Sequence, residues 1–367
     1  DGLKSIGDDA FRSCESLTDI TLPSGLETLG QGAFTQCSKL SSIVLPDSLT
    51  VIADSTFATC TSLTDVTIPD SITAIGNNAF SNCKSLTEIH IPDTVETIGK
   101  EAFSNCTSLA EFVFPANITN VSEKVLSKCT SLVSVTIPES VVLIESGAFL
   151  ECSSLPSVVI PEGVVKISGA NGGAFYECTA LTDVSLPSTL VNIGERAFAF
   201  CTNLKSIEIP ESVVTIENFA FYFDRQLKDI TIPEGVMSIG ENCFDGCSVL
   251  EHIKLPESLV TIGKNAFSQC PTLKGVYIPN EVCTIGLDKK TISDTAIIYG
   301  QPGSTAEEYA KEYNRIFVDI NSVTPVYHGD TDMDGKTSVL DAVALQRYLL
   351  NDGTKLTDWK AADLTQD

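Results

Sequence analysis

The stretch Leu17-Thr-Asp-Ile20-Thr-Leu22-Pro23-Ser-Gly-Leu26-Glu-Thr-Leu29-Gly30-Gln-Gly-Ala33-Phe34-Thr-Gln-Cys37-Ser-Lys39 is 23 residues long, and the sequence keeps rewriting it. Cys14, Cys37, Cys60, Cys83, Cys106, Cys129 and Cys152 stand 23 residues apart. The next step, to Cys178, is 26; Cys201, Cys247 and Cys270 resume the phase, and Asp224 fills the one slot without a cysteine. Phenylalanine recurs in the same frame from Phe11 to Phe267, with Leu126 as the single substitute, and prolines recur from Pro23 to Pro279. A fixed period of this length means that each repeat buries its apolar side only against its neighbours, so the chain stacks into a solenoid.

The unit also predicts its local structure. Ile20 and Leu22 alternate around Thr21, the period of a strand with one buried face, and Pro23 ends the ladder because it has no N–H to donate. One short strand per turn, stacked about 4.8 Å apart over some twelve turns, gives a parallel sheet on the order of 55 to 60 Å long. Leu26 and Leu29 re-enter the core, Gly30 permits a tight bend, and Ala33-Phe34 with Cys37 has the spacing of a short helical turn.

Composition narrows the function. The 367 residues carry 48 acidic and 23 basic side chains, a formal net charge of −25, which excludes nucleic-acid binding through a basic face. No stretch approaches the roughly 18 to 20 apolar residues that a membrane-spanning helix needs. With three histidines (His90, His252, His328) and one tryptophan (Trp359), raw material for acid-base catalysis is scarce, and no nucleophile-base pair stands out from the repeat, so an enzyme is not expected.

The repeat resembles the BspA-like subclass of leucine-rich repeats, and the likeness extends over residues 1–285. That resemblance implies an α/β repeat solenoid, a right-handed superhelix with a parallel sheet. The best-known leucine-rich consensus follows its strand with an Asn ladder; here that role passes to other buried groups, with the cysteines as one candidate. Identical side chains in successive turns point the same way and do not converge, so a stack of buried thiols is expected rather than disulfides or a metal cage. Cys283, at the slot of Val260, is expected to be the most exposed thiol.

The outward strand positions, such as Asp19/Thr21, Ser42/Val44 and Glu88/His90, are mostly small and hydroxylic or acidic and read as a solvated sheet face. After Ala-Phe, most repeats carry polar pairs such as Ser81-Asn82. Leu150, Tyr176, Phe200, Tyr222 and Phe223 occupy those sites in four successive turns, beside a three-residue insertion near Gly169 to Gly173. Contiguous exposed apolar surface usually means interaction, so these residues are a candidate patch for a protein or glycan partner.

After Gly286 the period dissolves. Thr295 to Tyr299 reads as a strand, Ser304-Thr-Ala-Glu307 as a capping box opening a helix through Tyr313, and Ile316 to Ile320 as a second strand, so residues 286–320 form a cap and 321–327 a linker. Asp330-Thr-Asp332-Met-Asp334-Gly335-Lys336-Thr-Ser338-Val-Leu-Asp341 then places oxygen donors at loop positions 1, 3, 5, 9 and 12, with Gly at 6 and the Lys336 backbone carbonyl at 7. That is the calcium loop of an EF-hand, with Asp rather than Glu at its last position. Asp363, Thr365 and Asp367 offer donors for the start of a second loop.

Residues 328–367 resemble a type I dockerin, an EF-hand-like segment, through this loop and the run Leu345-Gln346-Arg347-Tyr348-Leu349. The resemblance implies calcium as cofactor and a cohesin module as partner, faced by Val339, Leu340, Gln346 and Arg347. Many such modules have a hydroxyl pair where Val339-Leu340 stand, which leaves the cohesin class open. It further implies an extracellular place on a cell surface or in a cellulosome. The second loop stops short and the first repeat lacks its strand, so the sequence is expected to be a fragment or ordered portion of a longer secreted polypeptide. The expected function is a non-catalytic interaction scaffold attached by calcium-dependent docking; the alternative is a surface adhesin that binds host protein or plant polysaccharide.

Overall fold

A computed structural model describes residues 2–169 and 172–322. It is a parallel β-solenoid of about 14 turns, the cap included. Most turns contribute two short strands where the pattern predicts one, although residues 19–21 and 88–90 run through the first position without forming a strand. The first lies at the Ile20-type position, as in Ser42–Val44 and Asp65–Thr67, and alternates exposed, buried, exposed. The second precedes the recurrent glycine, as in Val51–Ile52 and Ala74–Ile75, and sends its second residue inward. Its two residues are too few for alternation to announce a strand. Pairing is parallel in both sheets, with Ser42 against Asp65 and Val51 against Ala74, one period on. Across the insertion the register becomes Ser157 against Asp183 and Lys166 against Asn192, so the three extra residues are absorbed without a slip in either sheet.

The expected helical turn on the third side is not a helix. Its N–H groups alternate: Gly32, Phe34 and Gln36 donate to Asp54, Thr56 and Ala58 of the next turn at 2.8–2.9 Å, while Thr35 and Cys37 donate to Gly32 and Phe34 of their own. The alternation requires a left-handed residue before the Ala-Phe pair and another before the cysteine, as at Asn78 (φ 55°) and Asn82 (φ 62°). An α-helix would spend every donor along its own axis. This turn gives half of them to stacking, and so all three sides of the solenoid are hydrogen-bonded from one turn to the next. Gly30 serves close approach rather than a bend, since a Cβ there would lie 2.4 Å from the Asp8 amide nitrogen in the neighbouring turn.

Two side-chain ladders fill the core. Phe11, Phe34, Phe57, Phe80 and Phe103 stack with ring centroids 5.1–5.7 Å apart. Phe149 to Phe267 form a second such stack. At the Leu126 gap, Phe112 and Phe114 from the neighbouring strand region enter edge-on, Phe112 5.0 Å from Phe103 and Phe114 6.5 Å from Phe149. The ring volume missing from one slot is returned from another, which keeps the interior close-packed. The second ladder is the cysteines. From Cys37 on, each ladder thiol donates to the carbonyl of the Phe slot in the preceding turn, as Cys60 to Phe34 and Cys106 to Phe80, both at 3.2 Å. The thiols therefore take the role that the Asn ladder plays in the commoner consensus. Burial raises their pKa, to about 12 for Cys60 and Cys106.

The cap closes the stack with Ile297–Gly300, a single helix (α1, Thr305–Glu312) and Phe317–Asp319. Ser304 accepts the Glu307 N–H, and Glu307 in turn accepts the Gly303 N–H at 2.7 Å. The buried Arg315 guanidinium donates to the carbonyls of Ile292 (2.7 Å), Ser293 and Ala296, tying the end of the cap to its beginning. Cys283, expected to be exposed, is fully buried, and its carbonyl accepts the Thr305 hydroxyl at 2.6 Å. The cause is a one-residue slide. Asn280 accepts the Val282 N–H and donates to the Leu259 carbonyl, doing the work of Ser258 in the preceding turn one position early. Val282 is thereby turned out and Cys283 takes the inward slot.

Candidate interaction site

The aromatic residues singled out in the sequence do meet. They lie on the left-handed turns that follow Ala-Phe, so successive repeats bring them side by side. Tyr176 and Phe200 are 5.3 Å apart, Phe200 and Tyr222 5.4 Å, and Tyr222 and Phe223 4.6 Å, mostly edge to face. All four are half-buried. Leu150 lies beside Gly172 at the margin of this cluster and is not one of its ring contacts. Sequence reading missed three members. Phe219 packs on Tyr222 at 5.3 Å, Arg196 lies 4.5 Å over the Phe219 ring, and Arg225 lies 5.3 Å over Phe223. Phe219 had a signal: it stands where other repeats place Asn78, Asn242 or Asn265.

Phe200, Phe219 and Phe223 adopt φ of 62°, 60° and 61°. A bulky side chain in this region is unfavourable, by roughly 1–3 kcal/mol, and the other turns fill these slots with glycine or with polar and charged residues such as Asp9, Ser13, Asn78, Asn82, Glu101 and Lys128. The core gains nothing in return, because its rings come from Phe198 and Phe221, which are fully buried. Three strained, half-exposed phenylalanines in adjacent turns set this patch apart from the rest of the turn face. The insertion borders it: a Cβ on Gly169 or Gly173 would run into the backbone of Glu195 or Arg196, so glycine there lets the lengthened turn press against the turn carrying Arg196. Burial, and then Glu177, raise the Tyr176 phenol pKa, which keeps it a neutral donor.

Beneath the patch lies Asp224. It is fully buried in the thiol ladder, neither carboxyl oxygen has a hydrogen-bond partner, and burial pushes its pKa well up. The strand face is shallow, with a groove of about 250 Å³ of mixed lining, in which Ser157, Asp183, Ser206 and Glu208 stand beside Val159 and Val184. Tyr277 and Tyr299 stack at 4.2 Å near its far end. No group of three or more metal-ligating side chains converges among the described residues. The loop donors Asp330, Asp332, Asp334, Lys336, Ser338, Asp341, Asp363, Thr365 and Asp367, and the docking positions Val339, Leu340, Gln346 and Arg347, lie outside the described residues.

Comparison with known proteins settles the family. The model of the BspA type leucine rich repeat region matches residues 1–94, 73–171 and 170–289. The chain belongs to the BspA-type leucine-rich repeat family. A dockerin type I domain model matches residues 328–367, so the BspA-type solenoid is followed by a dockerin domain. Both families are interaction modules rather than enzymes. A leucine-rich cell surface protein from Faecalibacterium prausnitzii is 28% identical, with 88% of this chain and 87% of that one covered at a TM-score of 0.48. A leucine-rich repeat protein from Bacteroides ovatus is 27% identical over 81% and 87% of the two chains, with a TM-score of 0.44. The pneumococcal vaccine antigen PcpA, 19% identical over 86% of this chain and 76% of its own, has a TM-score of 0.52 and shares the fold. No curated protein is matched. Among the described residues, no helix is long and apolar enough to cross a membrane.

Proposed function

We propose that this protein is a non-catalytic extracellular scaffold, held on a cell surface or in a cellulosome-like assembly by calcium-dependent binding of residues 328–367 to a cohesin. The observation that carries this reading is the coincidence of the dockerin match with the loop Asp330 to Asp341. The donor set suits the ion: four carboxylates, a hydroxyl and a backbone carbonyl are all hard oxygen ligands, the preference of calcium, and thiolate or imidazole is missing from the set. In this reading Asp330, Asp332, Asp334, Ser338 and Asp341, with the Lys336 carbonyl, hold the first ion. Asp363, Thr365 and Asp367 begin the second loop. Calcium would supply charge neutralisation, and the segment from Val339 to Arg347 would present Val339, Leu340, Gln346 and Arg347 to the partner. Docking free energy then becomes conditional on the metal. Cohesin capture by the full chain, with and without a chelator, tests the proposal; capture unchanged by the chelator contradicts it.

The solenoid's own ligand would bind at Tyr176, Phe200, Tyr222 and Phe223, with Leu150 at the margin. The strained phenylalanines favour this adhesin-like second reading, in which the dockerin is the anchor and the patch the recognition surface for a protein or glycan. Replacing Tyr222 and Phe223 by Ser is expected to remove binding on glycan arrays and in protein pull-downs, and retained binding would contradict the assignment.

A further inference from the structure

The thiol ladder is broken once, at Asp224, and the break is chemically specific. On either side the rule holds: Cys201 donates to the Phe175 carbonyl and Cys247 to the Phe221 carbonyl, each at 3.3 Å. By the same repeat, the acceptor facing the Asp224 slot is the carbonyl of Phe198, which already receives the Cys201 N–H at 3.1 Å. A thiol in that slot is a donor. A carboxylate is not: it would oppose the carbonyl lone pairs, and the one donor facing it, the Cys201 backbone N–H, favours the charged form but is already given to that carbonyl, whereas a carboxylic acid has one O–H to give.

The surroundings point the same way. Asp224 is fully buried, and both of its oxygens lack a partner. The titratable groups that face it are the thiols of Cys201 in the preceding turn and of Cys243 and Cys247 in the following one. The neighbouring Arg225 is exposed, with its guanidinium over the Phe223 ring. An ionised carboxylate would therefore sit among neutral, weakly polar groups, where an uncompensated charge is most costly. We propose that Asp224 enters the folded solenoid as a neutral acid whose O–H takes the place of the missing thiol, so that the turn carrying Phe219, Tyr222 and Phe223 is held by a proton.

The sign follows from linkage. In the unfolded or locally opened chain Asp224 ionises near pH 4, while in the closed turn it keeps its proton to higher pH. The closed turn thus binds one more proton than the open one. Its stabilisation is complete below about pH 4 and declines as pH rises, until Asp224 ionises in place. Ladder and patch are coupled because Phe223 immediately precedes Asp224, and mild acidity consolidates the surface that the aromatic residues present.

Hydrogen exchange of the full chain, read by mass spectrometry on peptides spanning 217–227 from about pH 5 to pH 8 and corrected for intrinsic rates, tests this. The opening constant of the native turn is expected to rise with pH, by up to about tenfold per unit, until Asp224 ionises in place, while the turn at 78–83 serves as an internal reference. In Asp224→Cys, which restores the ladder, and in Asp224→Asn, which keeps a donor without a charge, the rise is expected to vanish. At the alkaline end Asp224→Cys is expected to be at least tenfold better protected than the native turn. A native turn whose pH dependence matches that of Asp224→Cys overturns the proposal, and so does an Asp224→Cys turn no better protected; should Asp224→Asn not fold, Asp224→Cys decides alone.

Discussion

Residues inside this solenoid act through the copies of themselves one turn away, so their substitutions report on the ladder rather than on a single contact. Phe112 shows it best. It occupies the slot of Ile43 or Val66, yet its ring completes the aromatic stack over Leu126. Phe112→Ala is expected to cost about 3–5 kcal/mol in urea unfolding, and Leu126→Phe about 1–3 kcal/mol through overpacking. The double change Leu126→Phe with Phe112→Ile should recover most of both losses, since the two positions share one volume. The thiols give a second test. With pKa values raised to about 12 for Cys60, Cys106, Cys178 and Cys270, their thiolate fraction near neutral pH is negligible. Alkylation of the native protein is expected to modify Cys14, the one cysteine of the thirteen that is not buried, well before the others, which should react only on unfolding. Mass spectrometry after timed iodoacetamide treatment reads this directly.

At the scale of elements, the stack is held by backbone donors that cross from turn to turn and is closed by a cap whose strands pair with the last turn and whose two ends are joined by a single side chain. Arg315→Ala leaves the carbonyls of Ile292, Ser293 and Ala296 without their buried donor, and is expected to destabilise the C-terminal turns by about 2–4 kcal/mol. Hydrogen exchange should rise first at 284–300 and not at 28–52. Ser304→Ala, which removes one cap bond from α1, should cost only about 1 kcal/mol. The cap elements were legible in the sequence to within a residue or two, because a capping box and an alternating strand are local signals. The frame of Pro, Phe and Cys was legible because a solenoid repeats its burial. What escaped were features decided between turns. The second strand has only two residues per turn, and the left-handed alternation mimics the spacing of a helix. Asn280 slides one turn by a residue and brings Cys283 inside. The patch was legible as a departure from polar pairs, but Arg196 and Phe219 join it from the flank of the turn that precedes their Ala-Phe pairs, where sequence spacing gives no hint of contact.

For the whole molecule, the proposed division of labour is between a BspA-type stack that folds by self-repetition and a dockerin domain that binds through calcium. In this account the two are thermodynamically separable: calcium acts on attachment and leaves the stack alone. The most direct measurement is a calorimetric titration of the full chain against a panel of type I cohesins, in calcium and in excess chelator, with circular dichroism of the solenoid melt recorded in both. Binding to at least one cohesin in calcium, its loss in chelator, and an unshifted solenoid melt are the expected results. Equal binding in both buffers, or no cohesin bound at saturating calcium, would contradict the account.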